Sequence, residues 1–157
     1  MQALEMCGKP FRCILGNDDW FDVEYKFRMK LGEAFGDIVA FDLVNITPFQ
    51  TNREANENQI AYELGRINIT KESIILAHAP PYYKQDKTFS GERVGSRSIR
   101  NCIDDLQPKI WICGHIHESY GVSQAGNTLV VNCACNHTKN EFRGFIIDTK
   151  CKDCIPV

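Results

Sequence analysis

Residues Ile110–His117 read IWICGHIH, so four apolar residues come directly before a glycine and two histidines. A short, continuous apolar run is typical of a strand that is buried on both faces in a sheet covered by helices. Two other runs have the same form: Phe11–Leu15 is followed by GNDD at 16–19, and Ser73–Ala77 is followed by His78. The pattern predicts three buried strands, each followed by side chains that can bind a metal.

Helical patterns lie between these strands. The apolar residues of Arg53–Ile67 and of Arg97–Leu106 recur at the three- and four-residue spacing of one helix face. Ser96 is a suitable N-cap for the second helix, and Pro108 lies just beyond its end. Residues Trp20–Phe35 have a less regular helical pattern. Alternating strands and helices predict a layered α/β fold.

The remaining segments complete this outline. Further strands are predicted at Asp37–Val44, which is closed by the turn 45–48, and at Thr128–Asn132 and Gly144–Asp148. Residues Pro80–Gly95 are rich in Pro, Gly, Lys and Ser and have no periodicity, so they are predicted to form a long loop. A loop of this length inside a compact domain is usually functional.

Composition restricts the class of protein. The chain has 157 residues, of which 43% are hydrophobic and 24% charged, as expected for a single soluble globular domain over 1–157. Its net charge of −2 argues against sequence-independent binding of nucleic acid. No apolar run approaches the roughly 18 residues of a membrane-spanning helix, and the first residues lack the apolar core of a secretory signal. We therefore expect a cytoplasmic protein that binds neither membranes nor nucleic acid.

The side chains that follow the three strands are expected to converge, because loops at the carboxyl ends of strands form the binding crevice of α/β sheets. Imidazole nitrogens together with carboxamide or carboxylate oxygens suit zinc, manganese or iron, and two such ions can hold a phosphoryl group during in-line displacement. His115 and His117 are two residues apart, so a tight turn would let each bind a different ion. Gly16 and Gly114 are expected to permit sharp turns. His137 lies in a polar turn and is assigned no role.

The motifs GNDD at 16–19, AHAPPY at 77–82 and GHIH at 114–117, in this order, resemble the second half of the calcineurin-like metallophosphoesterase superfamily. GERVGS at 91–96 and VVN at 130–132 are similar to its small phosphodiesterase-like branch. The resemblance extends from Gly8 to Asp148. It implies a layered metallophosphoesterase-type β-sandwich flanked by helices.

The resemblance also implies roles for individual residues. Asn17, His78 and His115 would bind the second metal of a two-metal site, and His117 would bind the first. Asp18 stands where many members have a histidine that contacts the substrate phosphate. Asp19 matches an acidic residue that orients its neighbours, and both aspartates are assigned to the catalytic group. The implied activity is metal-dependent hydrolysis of a small phosphoester, preferably a diester, with manganese, iron, zinc or a similar divalent ion.

The chain departs from the superfamily in one respect. Members begin with a strand ending in Asp-x-His and a second ending in Gly-Asp, and neither motif precedes Gly16. Three explanations stay open: a shortened polypeptide that lacks the first βα units, completion by another chain, or an inactive relative that binds metal or phosphate without turnover. The first is favoured because the pattern from Asn17 onward is intact. Strand Phe11–Leu15 would then have lost a neighbour, and either another copy covers that edge in a homo-oligomer or the edge is prone to association.

Two further sets of residues are candidates. Tyr82 and Arg93 flank the ends of loop Pro80–Gly95 and are predicted to contact substrate. Of the eight cysteines, the pairs Cys133/Cys135 and Cys151/Cys154 have spacings that allow a four-thiolate zinc site. Against that alternative, the first pair ends a strand and the second lies in the C-terminal tail. Scattered thiols in a cytosolic chain are more often small buried apolar residues.

Overall fold

A five-stranded sheet is the centre of the computed structural model, which describes residues 14, 16, 38–136, 139 and 141–157. The strands and helices of this part are, in chain order, β1 (Ile38–Phe41), β2 (Val44–Asn45), β3 (Glu54–Ala55), α1 (Glu57–Gly65), β4 (Ile74–Ala77), α2 (Arg97–Leu106), β5 (Ile110–Cys113), β6 (Gly121–Ala125), β7 (Thr128–Asn132), β8 (Phe145–Ile147) and β9 (Cys154–Pro156). A single 3₁₀ turn covers His117–Ser119. The strand predicted at Phe11–Leu15, apart from Ile14, and the helix predicted at Trp20–Phe35 lie outside the described residues.

The strand order in the sheet is β1-β4-β5-β7-β6. The first four strands are parallel, and β6 pairs antiparallel with β7. Strands β5 and β7 coincide with the predicted bounds, and β4 begins one residue later than predicted. Because β4 and β5 are neighbours, their carboxyl ends lie side by side.

Both faces of the central strands are buried, as the continuous apolar runs predict. Ile75 of β4 and Trp111 of β5 face the cluster that contains the inner residues of both helices. Ile110 and Val131 face the opposite side, where the β8–β9 hairpin packs with Phe145. The sheet is therefore the middle layer, with helices on one face and a small second sheet on the other.

Helix bounds follow the capping residues. Ser96 caps α2 by accepting a hydrogen bond from the Ile99 N–H at 3.1 Å, which confirms the predicted helix Arg97–Leu106. The prediction Arg53–Ile67 was too long, because Asn56 forms a capping box with Gln59 and starts α1 at Glu57. None of the helices in the described ranges is both long and apolar enough to cross a membrane.

The predicted strands needed other corrections. Asp37–Val44 is not one strand, because β1 ends at Phe41 and Val44–Asn45 pairs separately with β3. The edge strand β6 was missed because its inward-facing residues, Gly121, Ser123 and Ala125, are small, while the apolar Val122 faces outward, so its sequence GVSQA shows no apolar alternation. Strand β9 was missed as well. It pairs only with β8, so its place depends on that contact.

The carboxylate of Glu57 joins the two helices. It accepts hydrogen bonds from the Ser96 hydroxyl at 2.9 Å and from the backbone N–H groups of Arg97 at 3.0 Å and Ser98 at 2.8 Å. It also accepts one from the Asn45 amide at 2.6 Å. An acidic group at a helix N-terminus satisfies N–H groups that have no partner within the helix. A side chain of α1 thus caps α2 and holds β2 against both helices.

These contacts set the ionisation of Glu57. Partial burial alone would raise its pKa, but hydrogen bonds from Ser98, Arg97 and Ser96 outweigh burial and lower the pKa from 4.5 to about 2. Because the folded-state pKa is the lower one, this contribution to stability is fully present above about pH 4.5. It is lost as the pH falls from there to about 2.

We predict that Glu57→Gln lowers the free energy of unfolding at pH 7 by about 1–2 kcal/mol, since the uncharged amide leaves helix N–H groups less well satisfied. The difference from wild type should shrink between pH 4.5 and 2, measured by urea denaturation. Glu63→Gln is the matched control, because Glu63 makes only an exposed ion pair with Arg66. An equal effect of the two changes would contradict the capping role.

Candidate metal centre

Two predicted metal ligands meet at the ends of β4 and β5. His78 directly follows β4, and its carbonyl accepts a hydrogen bond from the Gly114 N–H at 3.1 Å, which extends the parallel pairing one step beyond the strands. The His78 Nε2 and His115 Nδ1 atoms are 3.1 Å apart. The two rings meet edge to face, with centroids 4.9 Å apart and an interplanar angle of 65°. Two half-buried imidazoles therefore direct nitrogen atoms to one place.

A strained turn produces this geometry. The Ile116 N–H donates to the Gly114 carbonyl at 2.7 Å, and His115 between them has a φ of 64°. This combination matches the rare γ-turn, which non-glycine residues adopt at a cost of roughly 1–3 kcal/mol. A sharp turn was expected at Gly114, whereas the positive φ lies on His115. Strain of this kind persists where a side chain must be held in one direction.

His117 is held by a different contact. It opens the 3₁₀ turn, and its Nδ1 lies 2.6 Å from the carbonyl oxygen of Cys135. A carbonyl can only accept, so Nδ1 carries the proton and Nε2 is the nitrogen that has the lone pair in the neutral ring. Backbone carbonyls orient metal-binding histidines in this way. His115 and His117 thus have different hydrogen-bond partners, and their assignment to different metal ions stays a prediction.

The loop Pro80–Gly95 is organised by a buried carboxylate. Asp86 is fully buried and accepts hydrogen bonds from the Tyr83 N–H at 2.9 Å, the Gly95 N–H at 3.2 Å and the Arg93 guanidinium at 2.7 Å. A Cβ at Gly95 would lie 2.7 Å from the Pro81 backbone, so the two ends of the loop approach more closely than a larger residue allows. The loop has no regular helix or strand, and hydrogen bonds to Asp86 hold its shape.

The tip of this loop is tied to the residues that follow His117. The Ser119 hydroxyl accepts from the Lys87 N–H at 2.8 Å and donates to the Lys87 carbonyl at 2.7 Å. Glu118 accepts from the Phe89 N–H at 3.0 Å. The loop and the His117 turn therefore hold each other in place.

The predicted substrate contacts Tyr82 and Arg93 belong to this scaffold. Arg93 pairs with Asp86 and lies over the Tyr83 ring at 5.1 Å, and the Arg97 guanidinium lies over the Tyr82 ring at 4.9 Å. Within the described residues, neither side chain contacts His78 or His115.

Asn132 is a positioning residue that the sequence analysis did not assign to the site. This side chain is fully buried at the end of β7. Its amide nitrogen donates to the Ile116 carbonyl at 2.9 Å and the Gln85 carbonyl at 3.1 Å, and its oxygen accepts from the Ala134 N–H at 2.9 Å. One amide thereby connects the histidine turn, the long loop and the end of β7. The sequence feature that could have indicated this role is the position of Asn132 at the end of the apolar run that forms β7.

The described residues supply part of a ligand set for a divalent metal. His78, His115 and His117 supply imidazole nitrogens of the type that zinc, manganese and iron bind. Within the ranges 38–136 and 141–157, and including 139, no cluster of three or more His, Cys, Asp or Glu side chains is close enough to share an ion. The predicted ligand Asn17 and the predicted catalytic residues Asp18 and Asp19 lie outside the described residues.

The alternative four-thiolate site is wrong. Cys133 donates to the Cys113 carbonyl at 3.3 Å, whereas Cys154 packs beneath the sheet with β8. All four candidate cysteines lie in the described part of the chain, and no metal-sized cluster includes them. Burial raises the pKa of Cys113 well above its ordinary value and raises that of Cys154 as well. The Cys113 and Cys154 thiols therefore stay protonated at neutral pH and pack as small apolar groups.

Comparison with known proteins identifies the class that this fold and these motifs define. The sequence model of the calcineurin-like phosphoesterase family matches residues 1–119. The chain belongs to this family.

Relatives with high similarity include the uncharacterized protein MJ1162 of Methanocaldococcus jannaschii. It is 35% identical over 136 residues, covering 76% of this chain and 62% of the relative. The UPF0046 protein K07C11.7 of Caenorhabditis elegans is 38% identical over 65 residues, which cover 41% of this chain and 22% of that protein. Metallophosphoesterase domain-containing protein 1 of Homo sapiens is 36% identical over 69 residues, which cover 41% of this chain and 21% of that protein. The chain thus spans less than two thirds of each relative.

Solved structures confirm the fold class. One crystal structure superimposes with a TM-score of 0.71 at 16% identity, covering 99% of this chain and 68% of that one. TT1561 of Thermus thermophilus superimposes with a TM-score of 0.55 at 13% identity, covering 85% of this chain and 63% of that one. The predicted metallophosphoesterase-type α/β fold is therefore confirmed, with the β8–β9 hairpin as the second sheet in the described part.

We predict that Asp86→Ala lowers the free energy of unfolding by about 3 kcal/mol, because it leaves the Arg93 guanidinium and two loop N–H groups without their shared acceptor. Asp104→Ala, which breaks the exposed pair with Arg100, is the control and should cost less than about 1 kcal/mol. Thermal and urea denaturation measure both. A small effect of Asp86→Ala would show that the loop does not depend on this carboxylate.

We predict that His78→Ala and His115→Ala each weaken binding of Mn²⁺ or Zn²⁺ by more than about tenfold, since each removes an imidazole from the convergent pair. Isothermal titration calorimetry measures the affinity, and circular dichroism checks the fold. The double change Cys133→Ser with Cys154→Ser should leave metal affinity unchanged. Metal loss in the cysteine variant alone would overturn the assignment to histidine.

Proposed function

We propose that this chain provides a metal-dependent phosphoester hydrolase centre at the carboxyl ends of β4 and β5. The observation that carries the proposal is the 3.1 Å approach of His78 Nε2 and His115 Nδ1 from two neighbouring parallel strands. Membership of the calcineurin-like phosphoesterase family supports the same reaction class.

The metal ligands are assigned as follows. His78 and His115, together with Asn17, would hold one ion, and His117 would contribute to the other. When bound, such ions supply positive charge for the phosphoryl oxygens and lower the pKa of a bound water. Two features of the chain position these histidine ligands. The Cys135 carbonyl fixes the proton of His117 on Nδ1, and the γ-turn directs His115 toward His78.

The reaction is hydrolysis at phosphorus. A water oxygen loses one proton and forms a bond to phosphorus, the ester P–O bond on the opposite side breaks, and the leaving oxygen takes up one proton to become an alcohol. The described residues orient the site rather than react. Asn132 and Ser119 hold the histidine turn and the long loop together, so the imidazoles keep their positions during this change.

A diester is the proposed substrate class. A phosphate monoester carries about −1.5 to −2 charges at pH 7, whereas a diester carries one. The described residues that line the cavity beside His115 include Glu92 but no lysine or arginine. Beyond the proposed metal ions, no lysine or arginine side chain among these described residues would pair with a second negative charge, which favours the diester. The sequence similarity to the phosphodiesterase-like branch supports the same choice.

We predict that the 157-residue chain loaded with Mn²⁺ hydrolyses bis(p-nitrophenyl) phosphate faster than p-nitrophenyl phosphate, measured as nitrophenolate release. A chelator should abolish the reaction, and His117→Ala should lower kcat by at least about 100-fold. Phe142→Ala, a change at an exposed side chain, is the control.

The outcomes separate the proposal from its competitor. Mn²⁺ binding that depends on His78 but gives no hydrolysis of either ester would overturn the hydrolase and favour the inactive metal-binding relative. Faster hydrolysis of the monoester would overturn the diester assignment while leaving the hydrolase in place.

A further inference from the structure

A cavity of about 290 Å³ lies directly beside His115. It is formed by four segments: the loop after β2, the start of the long loop after β4, the later part of that loop, and the turn after β5 that carries His115 and Ile116. Its apolar lining comes from Ile46, Phe49, Ala79, Pro80, Val94 and Ile116. The cavity therefore joins an apolar surface to one of the two convergent imidazoles.

Several apolar side chains at this cavity are exposed to solvent. Ile46 is 69% exposed, Phe49 79% and Val94 38%. Single exposed apolar residues are common on protein surfaces, but apolar side chains gathered around one cavity mark a ligand-binding site. Because one wall is His115, the ligand that covers them would also reach the candidate metal centre.

The walls of the cavity are held in place. Glu54 accepts hydrogen bonds from the Thr47 hydroxyl and from the Thr51 N–H at 2.8 Å, and these bonds hold the loop that carries Ile46 and Phe49. The Thr47 contact is the main reason that the pKa of Glu54 is lowered to about 2, so this acceptor is ionised at neutral pH. On the other side, the Val94 N–H donates to the Asp86 carbonyl at 3.1 Å. A cavity with fixed walls is typical of small-molecule sites.

Charge and size restrict the ligand. Apart from His115, Glu92 is the only ionisable side chain among the described residues that line the cavity. A negatively charged group would meet this carboxylate with no cation beside it. The volume is at the lower limit of small-molecule pockets, which run from about 300 to 1,000 Å³. It therefore fits one compact neutral group.

We propose that this cavity is the subsite for the organic group of the phosphoester, and that it selects a compact, neutral, apolar or aromatic group. The assignment rests on the proposed function, because it places the phosphoryl group at His78 and His115. The phosphoryl group then lies at the imidazoles while the ester substituent fills the space between Phe49 and Val94.

Two phosphonates that the enzyme does not hydrolyse test this proposal, since phosphorus is bonded directly to carbon. Titration of the Mn²⁺-loaded protein with phenylphosphonate and methylphosphonate, by calorimetry, should show about tenfold tighter binding of the phenyl compound. Val94→Trp fills the cavity, so it should remove this preference while methylphosphonate affinity stays within about twofold.

Two further variants keep the test independent of one substitution. Phe49→Ala should weaken phenylphosphonate binding about threefold or more, whereas Phe89→Ala is the matched control because Phe89 is 89% exposed and does not line the cavity. Glu92→Lys should raise the affinity for 4-carboxyphenylphosphonate relative to phenylphosphonate by about fivefold.

The results separate failure of the proposed phosphoryl site from failure of the apolar subsite. If neither phosphonate binds the metal-loaded protein, the proposed phosphoryl site at His78 and His115 fails. If both bind equally and Val94→Trp and Phe49→Ala have no selective effect, the hydrolase proposal stands and the apolar subsite is overturned. Equal effects of Phe49→Ala and Phe89→Ala would also overturn it.

Discussion

The parallel pairing of β4 with β5 is the constraint on which the candidate site depends. Its register pairs Ile74 with Ile110, and the Gly114 N–H donates to the His78 carbonyl one step beyond the last strand pair. Side chains alternate across a sheet, so a shift of one residue would exchange the faces of β5. It would bring Trp111 out of the helix-facing cluster and separate His115 from His78. The apolar burial that sets the register therefore also positions His78 and His115, the two histidines of the candidate metal centre.

Charged groups then position the segments around that pair. Glu57 caps α2 from α1 and holds Asn45, and Asp86 closes the long loop on itself. Each acts through N–H groups that the backbone cannot otherwise satisfy, which is why these carboxylates lie inward although most acidic residues are exposed. The loops beside His115 thereby gain fixed walls without regular secondary structure. A preorganised site has less to reorder when ligand binds.

Sequence patterns predicted the apolar elements well and the polar connections poorly. Strands β5 and β7 and helix α2 have their predicted bounds because continuous burial and a Ser96 cap leave few alternatives. Strand β6 escaped prediction because an edge strand needs only one apolar face. The histidines were recognised from their places after strands, and His78 and His115 do meet. Tyr82 and Arg93 were selected from their positions at the ends of a loop. Arg93 pairs with the buried Asp86, and contact of either residue with substrate stays a prediction.

The sequence by itself determined the class of fold, the family and the histidines at the strand ends, because periodicity and motif order are properties of the chain. Only the tertiary structure decided the rest. It put the γ-turn on His115 rather than on Gly114, gave His117 the Cys135 carbonyl, and kept the four candidate cysteines from forming one cluster. It also formed the apolar cavity from residues as far apart as Ile46, Val94 and Ile116. These features depend on contacts between segments distant in sequence, and such contacts exist only once the sheet has brought the loops together.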